Sequence, residues 1–534
     1  MSSRREPSSS GTFLPPRPRP ERTWWTAVMY IAAAAMLLRF YNLPLKPLHH
    51  DEGVNGLFLA ALVRPPHVYR YDPANYHGPT LYYAAWLSTW LFRSPTFAIR
   101  FVTGIAGLLS VLMMLGLRRS LGPVGALAAA SLLAVSPGAV YFSRYFIHEM
   151  LLVCFTVGLV VALVQWFHRG RVLFLHLAAA SAGLMFATKE TAVISAVVLI
   201  AAAIGAMWLV EARTATRAGV QVARPWHLTS MISMVRRSMH PQDLRRRRIA
   251  RWPLALGVFL AVNVLFYTSF LAHPQGAVDA LRALALWTST GTTAHTRPWY
   301  AYLVWLSEEE LPLLLLGMAG AALALWKADN RFAVFAALWT VGMLAAYSVI
   351  PYKTPWLTLN IIAPLAMSGG YAAELAWRSR MPVRRAVMAG AAAGVVLFAT
   401  YQAVVLSFVR YDDDRYPYVY AHTNRDVLAL VAEIQRLERL NRGMTIAITS
   451  ESHFPLSWYL RDYSAGYYSQ PIVTNDSLVI GSEGQQVALG RLLGDRYARM
   501  GAYRLRPGVV LLLYARRDVQ GIASTESGRD VSHR

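Results

Sequence analysis

Apolar residues in this chain gather into long unbroken runs, not into the alternating or seven-residue patterns of a soluble core. Runs near the ~17–25 residues that a helix needs to cross a bilayer recur from Trp24 to Val409. They predict spans near 24–42, 97–117, 122–141, 150–167, 172–188, 191–210, 252–272, 311–326, 332–350, 356–377 and 386–409, about eleven in all. One apolar stretch breaks the pattern. Pro79–Phe92 carries Leu81, Tyr82, Tyr83, Trp86, Leu87, Trp90 and Leu91, yet as a helix it covers only roughly 21 Å of a ~30 Å hydrocarbon core. Its aromatic content suits a helix lying at the interface. Val54, Leu57, Phe58, Ala61 and Leu62 follow helical spacing and predict another, so residues 43–96 read as a structured first outer loop.

Beyond Val409 the pattern changes. Tyr411-Asp412-Asp413-Asp414-Arg415-Tyr416-Pro417 opens a polar region, with the aspartates read as a solvated junction. Asn424–Arg442 predicts an amphipathic helix with Val427, Leu428, Val431, Ile434, Leu437 and Leu440 on one face. Met444–Thr449, Leu478–Ile480 and Val509–Tyr514 predict strands, and Gln486–Met500 a helix. The expectation is an all-α polytopic membrane domain over 23–410 and a small extracytoplasmic α/β domain over 411–520. Residues 1–22, rich in Ser, Pro and Arg, read as a disordered cytoplasmic tail, and 521–534 as a second disordered tail. Trp24–Leu38 imitates a signal peptide, but without a convincing small-residue cleavage site it reads as a retained first span.

Composition agrees: 55% of the 534 residues are apolar, 15% are charged, and the mean hydropathy is +0.34. The formal net charge of +23 raises nucleic acid as a partner, but no basic folded domain exists to bind it. The cations lie instead between apolar runs. With the N-terminus inside, the inner loops hold 25 cations, ten of them arginines of the 211–251 loop, against 11 in the outer loops. This predicts a multi-pass protein of the plasma (inner) membrane, N-terminus cytoplasmic and C-terminal domain outside. Cys154 is the only cysteine, which excludes an internal disulfide and a thiolate metal cage. No P-loop, G-x-G-x-x-G, HExxH or G-x-S-x-G occurs, and no repeat of 20–50 residues is visible.

The unusual polar residues collect at the outer ends of the predicted spans. Leu48-His49-His50-Asp51-Glu52-Gly53-Val54-Asn55 follows the first span, and paired carboxylates beside histidines are costly near hydrocarbon unless they act there. Ser143-Arg144-Tyr145-Phe146-Ile147-His148-Glu149 links the third and fourth spans, Thr188-Lys189-Glu190 the fifth and sixth, and Pro351-Tyr352-Lys353-Thr354-Pro355-Trp356 the ninth and tenth. A carboxylate can take a proton from a nucleophile, and Lys or Arg can hold a phosphate or offset its charge as it leaves. At a lipid interface this set describes sugar transfer from a polyprenyl phosphate to an acceptor hydroxyl. Asp51 is the favoured base, with Glu52 as helper and Glu149 as the second acid. Arg144, Lys189 and Lys353 are candidate phosphate contacts, with His50, His148 and Tyr352 beside them. Asp51 and Glu149 are candidate ligands for a divalent cation such as Mg or Mn. Blander readings stand next to these. Acids favour a helix N-terminus, Glu149 can pair with Arg144 or Lys189, and the lysines can snorkel. Glu308, Glu309 and Glu310 read as solvating the top of the eighth predicted span.

The acidic pair, Tyr76-His77-Gly78-Pro79-Thr80-Leu81-Tyr82-Tyr83 and Arg100 together resemble the GT-C glycosyltransferases, notably the protein O-mannosyltransferase and lipid A aminoarabinose transferase group. His50-Asp51-Glu52-Gly53 with the other three motifs is closer to the prokaryotic flippase-activity-associated proteins of archaeal-type glycosylation. The resemblance covers about residues 24–420. It implies a multi-span fold with an outward-facing site, a polyprenyl-phosphate-linked sugar as donor, a glycan, protein or lipid acceptor, one inverting displacement and often a divalent metal. It also implies Asp51 as base and Glu149 at the second acidic position, where relatives often carry Asp. The rival reading is a transporter, or an accessory to one, for lipid-linked sugars. That reading calls for repeat symmetry and polar residues at mid-membrane, whereas the acids here gather at the edge.

Overall fold

The computed structural model describes residues 21–65, 67–217, 251–290 and 295–519. Both expected tails, apart from a few residues, and most of the arginine-rich 211–251 loop lie outside the described residues. Every predicted span is occupied by a helix or a bent pair of helices. Among the described residues, six helices are long and apolar enough to cross a bilayer: Glu21–Phe40, Pro95–Leu115, Glu149–Arg169, Ala192–Arg217, Arg331–Val349 and Pro382–Val409. Two bent pairs raise the number to eight: Pro123–Val135 with Pro137–Ser143, bent by 57°, and Ala301–Glu309 with Leu311–Lys327, bent by 115°. Val172–Phe186 and Trp252–Tyr267 are shorter apolar helices. Leu359–Trp377 is buried along nearly its whole length and packs against Pro123–Val135, Leu311–Lys327 and Arg331–Val349. A helix surrounded by other helices has no lipid-facing side, so its burial marks the centre of the bundle.

Residues 43–96, between the first two long helices, hold two helices. They are α1 (His50–Val63) and α2 (Thr80–Leu91), and the 12 residues of α2 are too few to span. On α2, Leu81, Tyr82 and Tyr83 are buried while Leu87, Trp90 and Leu91 are exposed, the two-sided pattern of an interfacial helix. Two acids depart from expectation. Glu309 and Glu310 are buried, not solvated. Glu310 Oε1 accepts the Ser136 hydroxyl and the Gly138 N–H, both at 2.7 Å, because the bend at Ser136 frees backbone donors that water cannot reach.

The C-terminal region forms a five-stranded sheet in the order β2-β1-β3-β5-β4, with β1 Thr445–Ile448, β2 Ser464–Tyr467, β3 Leu478–Ser482, β4 Tyr497–Arg506 and β5 Val509–Arg516. Strands β2, β1 and β3 run parallel, while β3, β5 and β4 are antiparallel neighbours. The helix Asp426–Leu440 packs Val427, Val431, Ile434 and Leu437 of the expected face on the sheet, with Leu430 in place of the expected Leu428. The helix expected over Gln486–Met500 is shorter. It stops at Leu493, where Gly494 takes φ +53°, and Tyr497 onward pairs with β5 as β4. The strand signal was weak because β4 is an edge strand with few buried positions. The aspartates of the junction are clamped by cations: Asp412 pairs with Arg425, and Asp413 with Arg410 and Arg415.

This domain sits directly on α1. A Cβ at Gly53 would fall 2.7 Å from Pro455 Cα, and one at Gly56 would fall 2.6 Å from the Trp458 ring. The Tyr459 hydroxyl accepts the Leu48 N–H at 2.9 Å, and the Phe454 ring meets His50 edge-on at 5.1 Å. Gly53→Val should therefore lift the C-terminal domain from α1 at a cost of about 1–3 kcal/mol. Limited trypsin digestion of the purified protein should then release fragments of 411–519 faster than from the parent, with the helical circular-dichroism signal retained.

Candidate active site

Glu52 organises the acidic motif by turning inward. It is fully buried, and its carboxylate forms a two-pronged pair with Arg100, Nε to Oε1 and Nη2 to Oε2, both at 2.7 Å. Arg100 also donates to the carbonyls of Leu43, Lys46 and Pro47, which ties the incoming loop to the span Pro95–Leu115. Glu52 accepts two backbone N–H groups as well, from His49 at 2.8 Å and from Phe146 at 2.8 Å. Burial alone would raise the Glu52 pKa. The Arg100 charge and hydrogen bonds, aided by Lys46, outweigh it and hold the acid below the usual carboxylate range.

One position earlier the helix turns by about 100°, and Asp51 points the other way. Its side chain is 40% exposed. His49 Nδ1 stands 3.9 Å from Asp51 Oδ2, but that nitrogen already accepts the Asp51 backbone N–H at 3.1 Å. Its other nitrogen, Nε2, lies 3.1 Å from the Tyr420 carbonyl and donates to it. Among the described residues no hydrogen bond reaches the Asp51 carboxylate, which leaves it free to accept a proton.

Phe146 is held at both ends, its N–H by Glu52 and its C=O by Asn55 Nδ2 at 2.9 Å. Three residues later Glu149 opens the helix Glu149–Arg169 and is buried. Its carboxylate accepts a hydrogen bond from the Lys189 ammonium. Burial would lower the Lys189 pKa, but Glu149 and then Glu190 more than offset it, so Lys189 stays protonated. Gly78 presses the first loop onto this corner. Its N–H donates to the Thr188 carbonyl at 3.0 Å, and a Cβ there would fall 2.1 Å from the Ala187 oxygen. The contact brings His77 to Glu190, Nδ1 to Oε2 at 2.8 Å. Burial would raise the Glu190 pKa, but His77 and Lys189 keep it lowered. The His148 ring lies 4.8 Å from that of His77, and burial, with His77 and Lys189, holds His148 neutral. Tyr76, His77, Lys189, Glu190, Trp287, Tyr347 and Tyr352 line a small cavity. Glu149, Lys189, Glu190, His77, His148 and the half-buried Tyr352 therefore converge on one corner, and Tyr352 and Tyr76 lie within electrostatic range of Asp51.

Other candidates are used elsewhere. Arg144 is fully buried and donates to the carbonyls of Leu38, Arg39, Tyr41 and Asn42, so it caps the end of the first span and is not available to a phosphate. Lys353 does the same for Arg331–Val349 through the Ser348 and Ile350 carbonyls. His50 faces the C-terminal domain, and burial lowers its pKa to about 4. Glu52, saturated by Arg100 and two N–H groups, serves as a brace. Metal donors fare no better: among the described residues no group of three or more His, Cys, Asp or Glu is placed to hold an ion. Glu149 is occupied by an ammonium, so Asp51 and Glu149 do not fit a cation site. The dyad of His77 and Glu190 was missed, although both residues lie in motifs already singled out. Sequence spacing could not pair residues 113 positions apart.

In sequence, residues 76–236 match the model of the dolichyl-phosphate-mannose-protein mannosyltransferase family. No curated protein matches the chain. In fold, it is similar to ArnT from Cupriavidus metallidurans in the apo state, with TM-score 0.62 and 13% identity over 92% of this chain and 98% of that one. It is also similar to ArnT from the same organism bound to undecaprenyl phosphate, with TM-score 0.54 and 16% identity over the same shares, 92% and 98%. A third likeness is to the archaeal oligosaccharyltransferase AglB from Archaeoglobus fulgidus in complex with an inhibitory peptide and a dolichol-phosphate, with TM-score 0.51 and 13% identity over 87% and 70%. The chain is a multi-pass membrane protein with the fold of the GT-C glycosyltransferases.

The brace is testable. Glu52→Gln should strand the buried Arg100 and cost about 3–5 kcal/mol, read as a lower unfolding midpoint of the detergent-purified protein at neutral pH. Because the folded-state pKa of Glu52 is lowered, its stabilisation is complete above the ordinary carboxylate pKa and disappears as pH falls through the lowered value. The gap between parent and variant should therefore narrow in acid.

Proposed function

We propose that this protein transfers a sugar from a polyprenyl-phosphate donor to an acceptor hydroxyl at the outer face of the membrane, with inversion and with Asp51 as the base. The observation that carries this reading is the contrast between the two neighbouring acids. Glu52 is consumed by Arg100, while the Asp51 carboxylate is half-exposed and, among the described residues, accepts no hydrogen bond. A free carboxylate, with a buried ammonium held by Glu149 at the neighbouring cavity, suits a reaction that moves a proton at one end and a phosphate at the other.

In this reading Asp51 takes the proton of the acceptor hydroxyl. The acceptor oxygen attacks the anomeric carbon from the side opposite the phosphate. The bond between that carbon and the phosphate oxygen breaks, and its electron pair leaves with the phosphate. Lys189 gives one N–H to Glu149 and keeps two for the departing oxygens. Tyr76, His77 and Tyr352 line the same cavity and add hydrogen-bonding groups. No step requires a metal. The polyprenyl class of donor is supported by the undecaprenyl phosphate and dolichol-phosphate bound in structures of similar fold and by the match to the dolichyl-phosphate-mannose-protein mannosyltransferase family. The inner concentration of cations supports a cytoplasmic N-terminus and an outward site.

In membranes supplied with polyprenyl-phosphate sugar, Asp51→Asn should lower transfer by about 10²–10⁴-fold, the usual contribution of a general base, with the protein still inserted. Transfer at the parental rate would remove Asp51 from the mechanism. For orientation, Cys154→Ser protein carrying His240→Cys or Val487→Cys should react with an impermeant maleimide from opposite sides of the membrane. Labelling of both from one side would overturn the topology.

A further inference from the structure

The seam between the C-terminal domain and α1 places one more cation on His50, the residue that precedes Asp51. Strand β4 ends at Arg506, and its pairing with β5 shifts register between Arg504 and Arg506. Such a bulge at a strand end turns a side chain out of the sheet's regular alternation. The Arg506 guanidinium reaches back to the first outer loop, with Nη1 3.2 Å from His50 Nδ1, and it lies within Coulombic reach of Asp51. Its placement is held by several contacts. Pro455 and Trp458 rest on Gly53 and Gly56, the Phe454 ring meets His50, and Tyr459 binds the Leu48 N–H. Half-buried arginines usually find a carboxylate. Among the described residues Arg506 forms no ion pair, and His50 is its one hydrogen-bond partner. An arginine held this way, against a neutral ring one residue from Asp51, leaves its charge without a carboxylate partner and within electrostatic range of that acid.

We propose that Arg506 is a positioning residue of the transfer reaction, through which the C-terminal domain completes the active site. By holding His50 and attracting Asp51, it keeps the carboxylate turned toward the acceptor. It sits on the Asp51 side, so it leaves the donor phosphate to Lys189 and its neighbours. The proposal rests on the reading of Asp51 as base. It also explains why a domain remote in sequence is packed so closely on α1 that two glycines are required there.

The test uses the full-length protein in membranes of its own host lacking the native copy, which supply the acceptor. Transfer from a radiolabelled polyprenyl-phosphate sugar is compared for the parent, Arg506→Gln, Arg506→Lys and Asp51→Asn. Binding of undecaprenyl phosphate is measured on the purified forms. Arg506→Gln should lower transfer at least tenfold. Arg506→Lys, which keeps the charge, should restore a third or more of the parental rate. Undecaprenyl phosphate affinity should stay within twofold for both. Transfer by Arg506→Gln within threefold of the parent would overturn the proposal, and so would equal losses for Gln and Lys, which would mean packing alone. A parallel loss of undecaprenyl phosphate affinity would overturn it too, by moving Arg506 to the donor side. Asp51→Asn separates the two layers: if it transfers normally the base assignment fails, whereas an inactive Asp51→Asn beside an active Arg506→Gln refutes only the role of Arg506.

Discussion

The part of this protein that carries the candidate site depends on the buried pair of Glu52 and Arg100. A carboxylate removed from water is costly unless its lone pairs are filled, and here both oxygens are, by a guanidinium fork and two backbone N–H groups. The partners come from three parts of the chain: the loop after the first span, the second long helix and the linker through Phe146. One ion pair therefore fixes their mutual positions. The acids proposed for chemistry and charge balance hang from it, Asp51 one residue away and Glu149 three residues beyond Phe146. Rigidity comes from the acid that does not react.

The remaining buried cations obey a similar rule. Arg39 donates to the carbonyls of Leu133 and Ala134, Arg144 to those at the end of the first span, and Lys353 to those of Ser348 and Ile350 at the end of Arg331–Val349. A helix end leaves carbonyls without partners, and at the rim of a bilayer water is not reliably there to supply them. A long cation satisfies several at once and complements the helix dipole. These cations are thus consumed by architecture. Lys189 differs because it is neutralised by one carboxylate and retains donors for a ligand, which is why it stays in the proposed mechanism while Arg144 and Lys353 leave it.

Much was legible in the chain itself. The eleven apolar runs, the short aromatic helix of the first loop, the polar C-terminal domain with its amphipathic helix, and the four polar motifs at the outer ends all follow from local pattern. Hydrophobic length and period are properties of neighbouring residues, so they can be read without the fold. Asp51 stood out for the same reason: an acid near hydrocarbon is costly wherever the chain goes. The strands β2 and β4 were less visible, since short or edge strands bury too little to leave a pattern.

What only the tertiary structure decided is the division of labour among residues of the same kind. Asp51 and Glu52 are adjacent and chemically alike, and only the position of Arg100 makes one a brace and leaves the other a free carboxylate. The pairings of Glu149 with Lys189, His77 with Glu190 and Arg506 with His50 join residues 40, 113 and 456 positions apart. The sequence determined which groups had to be kept out of hydrocarbon and on which face they would collect. Which of them neutralise one another depends on distances of a few ångströms between distant segments, and Coulomb and hydrogen-bond energies change steeply over that range.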